Sequence, residues 1–555
     1  MYLRTVRRKN KDGSVVEYVQ LAHNYRHPKT GTPRAQILWN FGRADQLDLA
    51  ALRRLALGIA RFLDEKDAEC IREKVSGTLP FDYLGSRDAG GTWFLDQLWQ
   101  RLNVDKTLKR LLKERNYRTP VERLLFALVA NRALNPSSKL AMEPWVSEEV
   151  LIRDLPEVEV HQLYRAMDFL LEAAEEIQHD VFFEVANLFN LEVDLLLLDT
   201  TTTYFEIEGE DAELRRRGYS KDGRADLAQV VVGFAVTREG IPVRCWVWPG
   251  NTSDQEVIEE VKRDLNGWRL GRVVAVLDTG FNSEDNRKAL QGAGGHYIMG
   301  EKLRVGSKAA ATEALTRGGK YRRLECGLEI KEVVLGDGAA RRRYVVVRNP
   351  KEVEKDRKRR EDIIKEVERR LAALKQLAGE PHKKAACELR AHPVFGRYIR
   401  QTKAGKLQLN RGKIREEARF DGKFLVSCSD DTLSAEDIVL GYKQLAVIER
   451  CFRDLKHVVD IRPVYHRLPD RIKAHVLLCW LALLLIRVAE NETGKTWREM
   501  CRILRTLDVG IHRIGSEEVW RTSKLTKEQK ELFKALDIKP PPPYYYISAP
   551  RKDSV

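Results

Sequence analysis

The chain has 555 residues, of which 43% are hydrophobic and 32% charged, and its formal net charge is +15. This length exceeds a single hydrophobic core and predicts several domains, and the excess of lysine and arginine favours a polyanionic partner such as nucleic acid. The longest apolar run, residues 476–486, is shorter than the about 20 residues that cross a bilayer, so it excludes a spanning segment and predicts a core helix. The cysteines form no Cys-x-x-Cys pair, which argues against a zinc site or a disulfide framework. We therefore expect a cytoplasmic protein without a membrane partner.

Residues 1–85 predict a small basic β module followed by a helix. Polar and apolar residues alternate through residues 1–45 as they do in strands. Basic side chains crowd the first of these strands, with Arg7, Arg8 and Lys9 in succession. We expect DNA contacts from this module because lysine and arginine neutralise backbone phosphates. A solvated edge hairpin is the alternative that these residues leave open.

Residues 86–190 predict a helical domain. Apolar residues recur at three- and four-residue spacing, for example at Phe94, Leu95, Leu98 and Leu102, and no strand pattern interrupts them. The pattern indicates helices without indicating which bases they would contact.

Two apolar runs further along the chain each end on an aspartate. Residues 193–198 precede Asp199, and residues 273–277 precede Asp278. Short apolar runs bounded by polar residues predict buried central strands rather than helices. Two such strands side by side would bring the two carboxylates together.

The residues between the two runs predict a hairpin and a helix. Residues 229–236 and 243–248 flank a turn signal at residues 239–242, so they predict a pair of strands. Residues 251–254 offer an N-cap before a helix over residues 256–265. The predicted order is therefore strand, hairpin, helix, strand.

This order of elements resembles the ribonuclease H fold, whose nucleases hold metal between carboxylates on neighbouring strands and a later helix. The implied fold class is α/β, with a ribonuclease H-like catalytic core made from residues 191–295 and 431–490. The interval between these two parts is too long for one connection in a compact domain, so we expect a mixed, β-rich inserted domain at residues 296–430. Residues 491–555 form a C-terminal tail.

A third carboxylate, Glu449, lies in a run that predicts one helix over residues 442–456. At about 100° per residue, Glu449 shares a narrow stripe with Tyr442, Arg453 and Lys456, while apolar residues occupy the opposite side. The apolar side would pack on the sheet, and the charged side would face a metal site and a phosphate backbone.

The helix resembles the tyrosine, arginine, glutamate, lysine signature of bacterial insertion-sequence transposases of the DDE type, in the cut-and-paste group with a large insertion before the glutamate. Further matches to this family are residues 218–229, 249–254 and 278–283. The signature's arginine position, three after Tyr442, holds Leu445. Its phosphate contact therefore passes to Arg450 or Arg453, or is absent.

The resemblance implies a DNA transposase that binds the ends of its mobile element and catalyses metal-dependent strand cleavage and strand transfer. It implies that Asp199, Asp278 and Glu449 hold two Mg²⁺ or Mn²⁺ ions, whose preferred ligands are hard carboxylate oxygens. The implied partners are double-stranded DNA, at the element ends and the target, and a second copy of the chain in a homodimer on paired ends. The family places end recognition in N-terminal segments such as residues 86–190. Core DNA contacts are expected from Tyr442, Arg450, Arg453 and Lys456.

Two other functions remain open from the sequence. One is a ribonuclease H-like nuclease that cleaves nucleic acid without strand transfer. The other is a non-catalytic, transposase-derived DNA-binding protein, against which the three intact carboxylates argue.

Overall fold

The structure of the chain is a computed structural model, in which the chain folds into two compact units. Unit 1 comprises Met1–Gly85, Ile511–Trp520 and Tyr546–Val555, and unit 2 comprises Ser86–Gly510 and Arg521–Tyr545. The structure describes residues 1–9, 15–28, 31–64, 67–68, 71, 81–113, 115, 117, 119–189, 194–206, 209–211, 213–268, 270, 272–303, 309–338, 341–514 and 517–547. The predicted strand start at residue 193 and the predicted domain limit at residue 190 lie outside these ranges, and the proposed domain boundaries remain predictions.

The secondary structure is mixed α and β. The strands are β1 (Tyr2–Lys9), β2 (Val15–Arg26), β3 (Pro33–Arg43), β4 (Phe81–Asp88), β5 (Leu195–Tyr204), β6 (Gln229–Thr237), β7 (Pro242–Pro249), β8 (Val274–Leu277), β9 (His296–Glu301), β10 (Arg322–Arg323), β11 (Glu329–Leu335), β12 (Arg342–Arg348), β13 (Ile399–Gln401), β14 (Leu407–Leu409), β15 (Lys423–Cys428), β16 (Asp508–Ile514), β17 (Glu517–Thr522) and β18 (Tyr544–Ile547). The α-helices are Leu49–Ala60, Gly90–Arg101, Val104–Leu112, Val121–Leu134, Lys139–Pro144, Val160–Glu172, Ala174–Leu188, Ile258–Asn266, Glu284–Gln291, Ala309–Thr316, Pro350–Leu374, Gly379–Ala391, Arg411–Glu417, Ala435–Lys443, Leu445–His457, Pro469–Thr493, Trp497–Leu504 and Lys527–Ala535.

Unit 1 contains the predicted basic β module. Strands β1, β2 and β3 form an antiparallel sheet in that order, and the helix Leu49–Ala60 follows them. The Asp48 carboxylate accepts a hydrogen bond of 2.9 Å from Ala51 N, which caps the first turn of this helix. The predicted strands and helix of this segment are confirmed.

Unit 2 is built on a nine-stranded mixed sheet of order β10-β11-β12-β15-β9-β8-β5-β6-β7. At its centre, β5 pairs in parallel with β8 and antiparallel with β6, and β8 pairs in parallel with β9. Strand β6 is buried along its whole length, as its run of valines predicts for a strand that is covered on both faces. The sheet therefore forms the middle layer of the unit.

The hairpin predicted between the two aspartate strands is confirmed. Strands β6 and β7 are antiparallel, with Val236 opposite Pro242. The turn is closed by a 3.0 Å hydrogen bond from Thr237 N to Ile241 O, and Gly240 takes the positive φ of +83° that this turn requires. The helix that follows begins at Ile258, and its N-cap residue makes no side-chain capping bond, so the predicted cap at residues 251–254 is wrong.

The strands predicted for residues 296–430 extend the same sheet. Strand β15 pairs with β9 on one side and with β12 on the other, and both pairings are antiparallel. The charged helix Pro350–Leu374 lies between β12 and β15 in the chain and begins with the side chain of Asn349 capping Lys351 N. The insertion thus contributes strands to the central sheet.

The predicted core helix is longer than its apolar run. It extends over Pro469–Thr493, and by length and mean hydropathy of 2.0 it is the one helix in the described part of the chain that could cross a membrane. In the folded chain, 94% of the most apolar 18-residue stretch of this helix is buried. It packs against the helices Val121–Leu134 and Val160–Glu172, so the helical region shares a hydrophobic core with the sheet.

A clasp made by Arg216, Gly218, Gln229 and Gly250 anchors the loop between β5 and β6. Arg216 and Gln229 exchange backbone hydrogen bonds of 3.1 and 2.9 Å, and Gln229 Nε2 donates to Gly250 O over 2.9 Å. A Cβ on Gly250 would overlap the carbonyl oxygens of both Gln229 and Arg216. Only glycine therefore fits at this end of β7.

We predict that Gly250→Ala lowers the free energy of unfolding by about 1–3 kcal/mol, because the backbone carbonyls around it cannot move aside as a flexible side chain would. Gly292→Ala is the matched control, since a Cβ at Gly292 meets nothing within 4 Å and its φ is −53°. Urea unfolding measures both. Equal stability of the two variants would contradict the clasp.

Candidate active site

The two aspartate strands lie side by side, as the sequence predicts. In the parallel pair β5 and β8, Leu198 is opposite Leu277. Asp199 follows Leu198 and Asp278 follows Leu277 in the sequence. Paired strands lie about 4.8 Å apart. The carboxylates of Asp199 and Asp278 therefore come to the same edge of the sheet.

Asp199 is a largely enclosed carboxylate with a few polar neighbours. Thr200 N donates to Asp199 Oδ1 over 2.7 Å, and Lys221 Nζ lies 3.6 Å from the same oxygen. Burial raises the pKa of Asp199 from 3.8 to about 6, Lys221 and Thr200 N oppose this rise, and the negative charges of Asp254 and Asp278 add to it. The site thus holds ionised Asp199 at an electrostatic cost that a cation would remove.

Lys221 and Asp254 complete a polar cluster around Asp199. Lys221 Nζ donates to Thr200 O and Thr200 Oγ1 over 2.9 and 2.7 Å, and it lies 3.2 Å from Asp254 Oδ2. Thr200 Oγ1 in turn donates to Asp254 Oδ1 over 2.5 Å. Asp254, predicted to cap a helix, instead places its carboxylate in this cluster.

The turn that carries Asp278 packs against the same cluster. A Cβ on Gly280 would lie only 2.8 Å from Asp254 Oδ2 and would displace this carboxylate oxygen, so the glycine lets the turn after β8 approach Asp254 closely. Asp278 itself is exposed. Asp199, Asp254 and Asp278 therefore belong to one acidic edge, in which Lys221 lies beside Asp199 and Asp254.

Tyr442 contacts Asp278 directly. Its hydroxyl donates to Asp278 Oδ1 over 2.9 Å, and its ring stacks on Phe424 at 5.7 Å between centroids. Burial, together with the charges of Asp278 and Glu449, raises the pKa of Tyr442 well above its ordinary value. A Cβ on Gly300 would overlap the Tyr442 hydroxyl, so the glycine on β9 makes room for this contact.

The single helix predicted over residues 442–456 is wrong in one respect, because two helices meet there. The first ends at Lys443, and the second, the Glu449 helix (Leu445–His457), begins after Gln444, where a 2.7 Å bond from Val447 N to Gln444 O tightens the turn. Tyr442 therefore does not share a helical stripe with Glu449.

The Glu449 helix presents its faces as predicted. Ile448, Cys451 and Leu455 are buried, and the helix packs against β5. Glu449 and Arg453 are exposed on the other side. Glu449 is close enough to Tyr442 for its charge to raise the pKa of that hydroxyl.

Carboxylate oxygens of Asp199, Asp278 and Glu449 are the donor type that Mg²⁺ and Mn²⁺ prefer. Within the described ranges, however, no three histidine, cysteine, aspartate or glutamate side chains converge as a ready metal-ligand set. Asp199 and Asp278 thus form a pair, and Glu449 lies near them. For a cation to bind, the contact of Lys221 with Asp199 and that of Tyr442 with Asp278 would have to loosen.

Three of the four predicted core DNA-binding residues are engaged with acidic side chains: Tyr442 with Asp278, and Lys456 and Arg450 through ion pairs. Lys456 Nζ lies 2.8 Å from Asp222 Oδ1, and Arg462 Nη1 is as close to the other oxygen of Asp222. Arg450 pairs with Glu490 at 3.4 Å and with Asp454 at 3.9 Å. These contacts anchor the loop after Lys221 and tie the Glu449 helix to the core helix (Pro469–Thr493).

Arg453 differs from them. It is exposed, and it makes no ion pair or hydrogen bond with any residue that the structure describes. In unit 1, Arg8 and Lys9 are exposed, and Arg7 pairs with Glu17 at 2.5 Å while its side chain stays 77% exposed. The structure therefore leaves Arg453, Arg8 and Lys9 open to solvent.

Sequence reasoning missed Lys221, Asp222, Asp254 and Arg462. The segments that carry the first three, residues 218–229 and 249–254, match the resembled family, but neither spacing nor residue type distinguishes a site residue from a loop or cap there. These residues could have been predicted from one pattern: they are charged residues in segments that lie beside the ends of β5 and β7.

The pKa of Asp199 predicts a pH-dependent stability difference. Because the folded-state pKa of about 6 lies above the ordinary 3.8, ionised Asp199 destabilises the folded chain above about pH 6, and this penalty disappears as the pH falls towards 3.8. We predict that Asp199→Asn melts at a higher temperature than the parent in EDTA at about pH 7.5, and that the gap closes near about pH 4. Thermal unfolding across this range measures the gap.

Asp285→Asn is the control, because Asp285 is an exposed aspartate outside the acidic edge and its replacement should bring no gain. A parent that is more stable than Asp199→Asn at about pH 7.5 without metal would contradict the assigned environment.

Comparison with known proteins agrees with this geometry. The family model described as "Transposase DDE domain" matches residues 194–485, and that described as "IS1634 family transposase, N-terminal domain" matches residues 3–70. No curated protein matches. Among solved structures, the chain is similar to one titled "Cryo-EM structure of piggyBac transposase synaptic complex with hairpin DNA". The sequence identity is 11%, the similarity covers 74% of this chain and 77% of that one, and the TM-score is 0.33. Since the DDE model covers more than half of the chain and the N-terminal model accompanies it, the chain belongs to the DDE transposases of insertion sequences.

Proposed function

We propose that the chain binds the ends of its mobile element and catalyses metal-dependent DNA strand cleavage followed by strand transfer. The observation that carries this proposal is the pairing of β5 with β8, which brings Asp199 and Asp278 to one edge while the Glu449 helix packs on β5. The order β7-β6-β5-β8-β9 supports a ribonuclease H-like core, with three antiparallel strands followed by two parallel ones.

Asp199, Asp278 and Glu449 are the residues that would hold two Mg²⁺ or Mn²⁺ ions. The donor set fits these ions, and burial of Asp199 supplies a negative site that a cation stabilises. The chemistry that such ions supply when bound is activation of the attacking oxygen and stabilisation of the leaving oxygen.

The surrounding residues would position these carboxylates. Thr200 N and Lys221 orient Asp199, and the Tyr442 hydroxyl orients Asp278. Lys456, held by Asp222, would act by fixing the loop that carries Lys221, in place of the direct phosphate contact expected from the sequence. Arg453 is the cation best placed to bind the phosphodiester beside Glu449.

Double-stranded DNA at the element ends and at the target is the proposed partner, and Arg7, Arg8 and Lys9 are proposed contacts of the N-terminal module. Because both ends must be processed together, we propose a homodimer on paired ends. Sedimentation of the complex with end DNA tests the stoichiometry, and one protein chain per active pair of ends would overturn it.

We predict that Asp199→Asn, Asp278→Asn and Glu449→Gln each bind end DNA nearly normally but fail to cleave it in Mg²⁺. Losing even an outer-shell partner costs a metal site about 10–100-fold, so losing a carboxylate ligand should cost more. Gel assays of cleavage and of strand joining provide the readout. Glu368→Gln, at an exposed glutamate on the helix Pro350–Leu374, which packs against the helix Gly379–Ala391 and β14, is the matched control and should stay active.

If Glu449→Gln cleaves within about threefold of the parent while both aspartate variants are inactive, Glu449 is wrongly assigned. Cleavage without joining of DNA strands would favour the nuclease without strand transfer. Absence of cleavage by the parent, with end binding intact, would favour the non-catalytic DNA-binding protein.

We predict different effects from the two arginines of the Glu449 helix. Arg453→Gln should lower the slope of log affinity against log salt by about one, because one phosphate contact is lost. Arg450→Gln should leave that slope unchanged and lower the melting temperature slightly, because Glu490 keeps Arg487 at 2.5 Å but loses its second ion-pair partner. Fluorescence anisotropy at several salt concentrations, with melting curves, separates them. An altered slope only in Arg450→Gln would reverse the assignment.

A further inference from the structure

A cluster of cationic and imidazole side chains lies inside unit 2, apart from the acidic edge. Arg132 and Lys139 are each 4% exposed, and His466 is 9% exposed. They come from the helix Val121–Leu134, the segment after it, and the loop before the core helix. Buried cations are normally paired with an anion or a carboxylate, because removing a charge from water is costly.

This cluster has little internal compensation. Arg132 donates to the backbone oxygens of Ser137 and Asp460, and its Nε is enclosed without a partner. The side chain of Lys139 makes no hydrogen bond or ion pair within the described part of the chain, although it is almost fully buried. The ring of His466 packs edge-on against Tyr164 and beside His475 and makes no hydrogen bond with any described residue.

The electrostatics of the cluster show that its compensation is incomplete. The negative charge of Asp460 acts favourably on Arg132, yet burial outweighs it and lowers the pKa of Arg132. Burial, with the charge of Arg132, lowers the pKa of Lys139 from 10.5 to about 7. Burial and the charge of Lys139 lower the pKa of His466 to about 3. Cys479, the acidic side chain beside His475, is held uncharged because burial raises its pKa to about 11.

The cluster adjoins the loop that also reaches the acidic edge. Asp460 O accepts from Arg132, Ile461 O is 3.0 Å from Nε2 of buried His475, and Arg462 pairs with Asp222, the neighbour of Lys221. The short segment 460–462 therefore contacts both the cationic cluster and the loop that carries Lys221.

We infer that Lys139 and His466, with the charge of Arg132 behind them, form a binding site for a phosphate oxyanion. A phosphate group offers the negative charge and the acceptor oxygens that these unpaired donors lack. The phosphodiester of bound DNA is the source that fits a DDE transposase, and this part of the inference rests on the proposed function. A phosphate held here would fix the DNA relative to the loop that carries Lys221.

The test compares the full-length parent with Lys139→Met, which keeps the apolar stem without the charge, and with His466→Phe, which keeps the ring packing without the nitrogens. Lys106→Met is the matched control, because Lys106 is exposed in the same helical region. Melting temperatures are measured in sodium phosphate and in sodium chloride at equal pH and ionic strength. Because phosphate stabilises folded proteins in general relative to chloride, the readout is the difference between variants. Phosphate should raise the melting temperature of the parent and of Lys106→Met by about 2–4 °C more than that of Lys139→Met or His466→Phe.

A second arm measures binding to a short duplex DNA across salt concentrations. Lys139→Met should lower the log–log slope by about one relative to the parent if the oxyanion is a DNA phosphate. Loss of the phosphate effect with an unchanged slope would support the oxyanion site and assign it to free phosphate. An equal phosphate effect in the parent and in both cluster variants would overturn the site. Neither arm uses cleavage, so failure of the proposed catalytic function leaves this result distinct.

Discussion

The parallel pairing of β5 with β8 is the constraint on which the rest of the site depends. It brings two carboxylates to one edge of a buried sheet, where burial raises the pKa of Asp199 to about 6. Lys221 and Thr200 N partly offset that cost, and the clasp at Gly250 holds the loop on which Lys221 lies. The close glycine contacts at Gly280 and Gly300 follow from the same crowding. Much of the local sequence thus serves to hold negative charge at the partly enclosed Asp199, while Asp278 remains exposed.

Many charged residues form ion pairs within the fold, so the net charge of +15 does not identify the lysines and arginines that contact DNA. Lys456 and Arg462 converge on Asp222, and Arg450 pairs with Glu490, whereas Arg453 stays open. A buried charge that loses its partner is costly, so replacing a paired arginine changes stability before it changes DNA affinity. Lys139 is the opposite case, a buried lysine that has no acidic partner among the residues that the structure describes.

The sequence predicts the central strands well because buried apolar runs that end on a carboxylate have few alternative structures. The same holds for the hairpin around Gly240, which the structure confirms. It does not predict the break at Gln444, since no glycine or proline marks that position. Nor does it predict the place of Asp254, because the residue types that cap helices are also those that line polar sites. The joining of β12 and β15 to the central sheet depends on pairing between distant strands, which periodicity alone does not specify.

Anomalous diffraction at the manganese absorption edge, from crystals of the parent grown with Mn²⁺ and duplex DNA, tests most directly whether the acidic edge is the catalytic metal site. The account predicts manganese peaks within ligand distance, about 2.0–2.6 Å, of carboxylate oxygens of Asp199 and Asp278, with Glu449 on the same metal cluster, and no such peaks in Asp199→Asn. Manganese bound elsewhere, with the Asp199 and Asp278 carboxylates still in contact only with Lys221 and Tyr442, would contradict it.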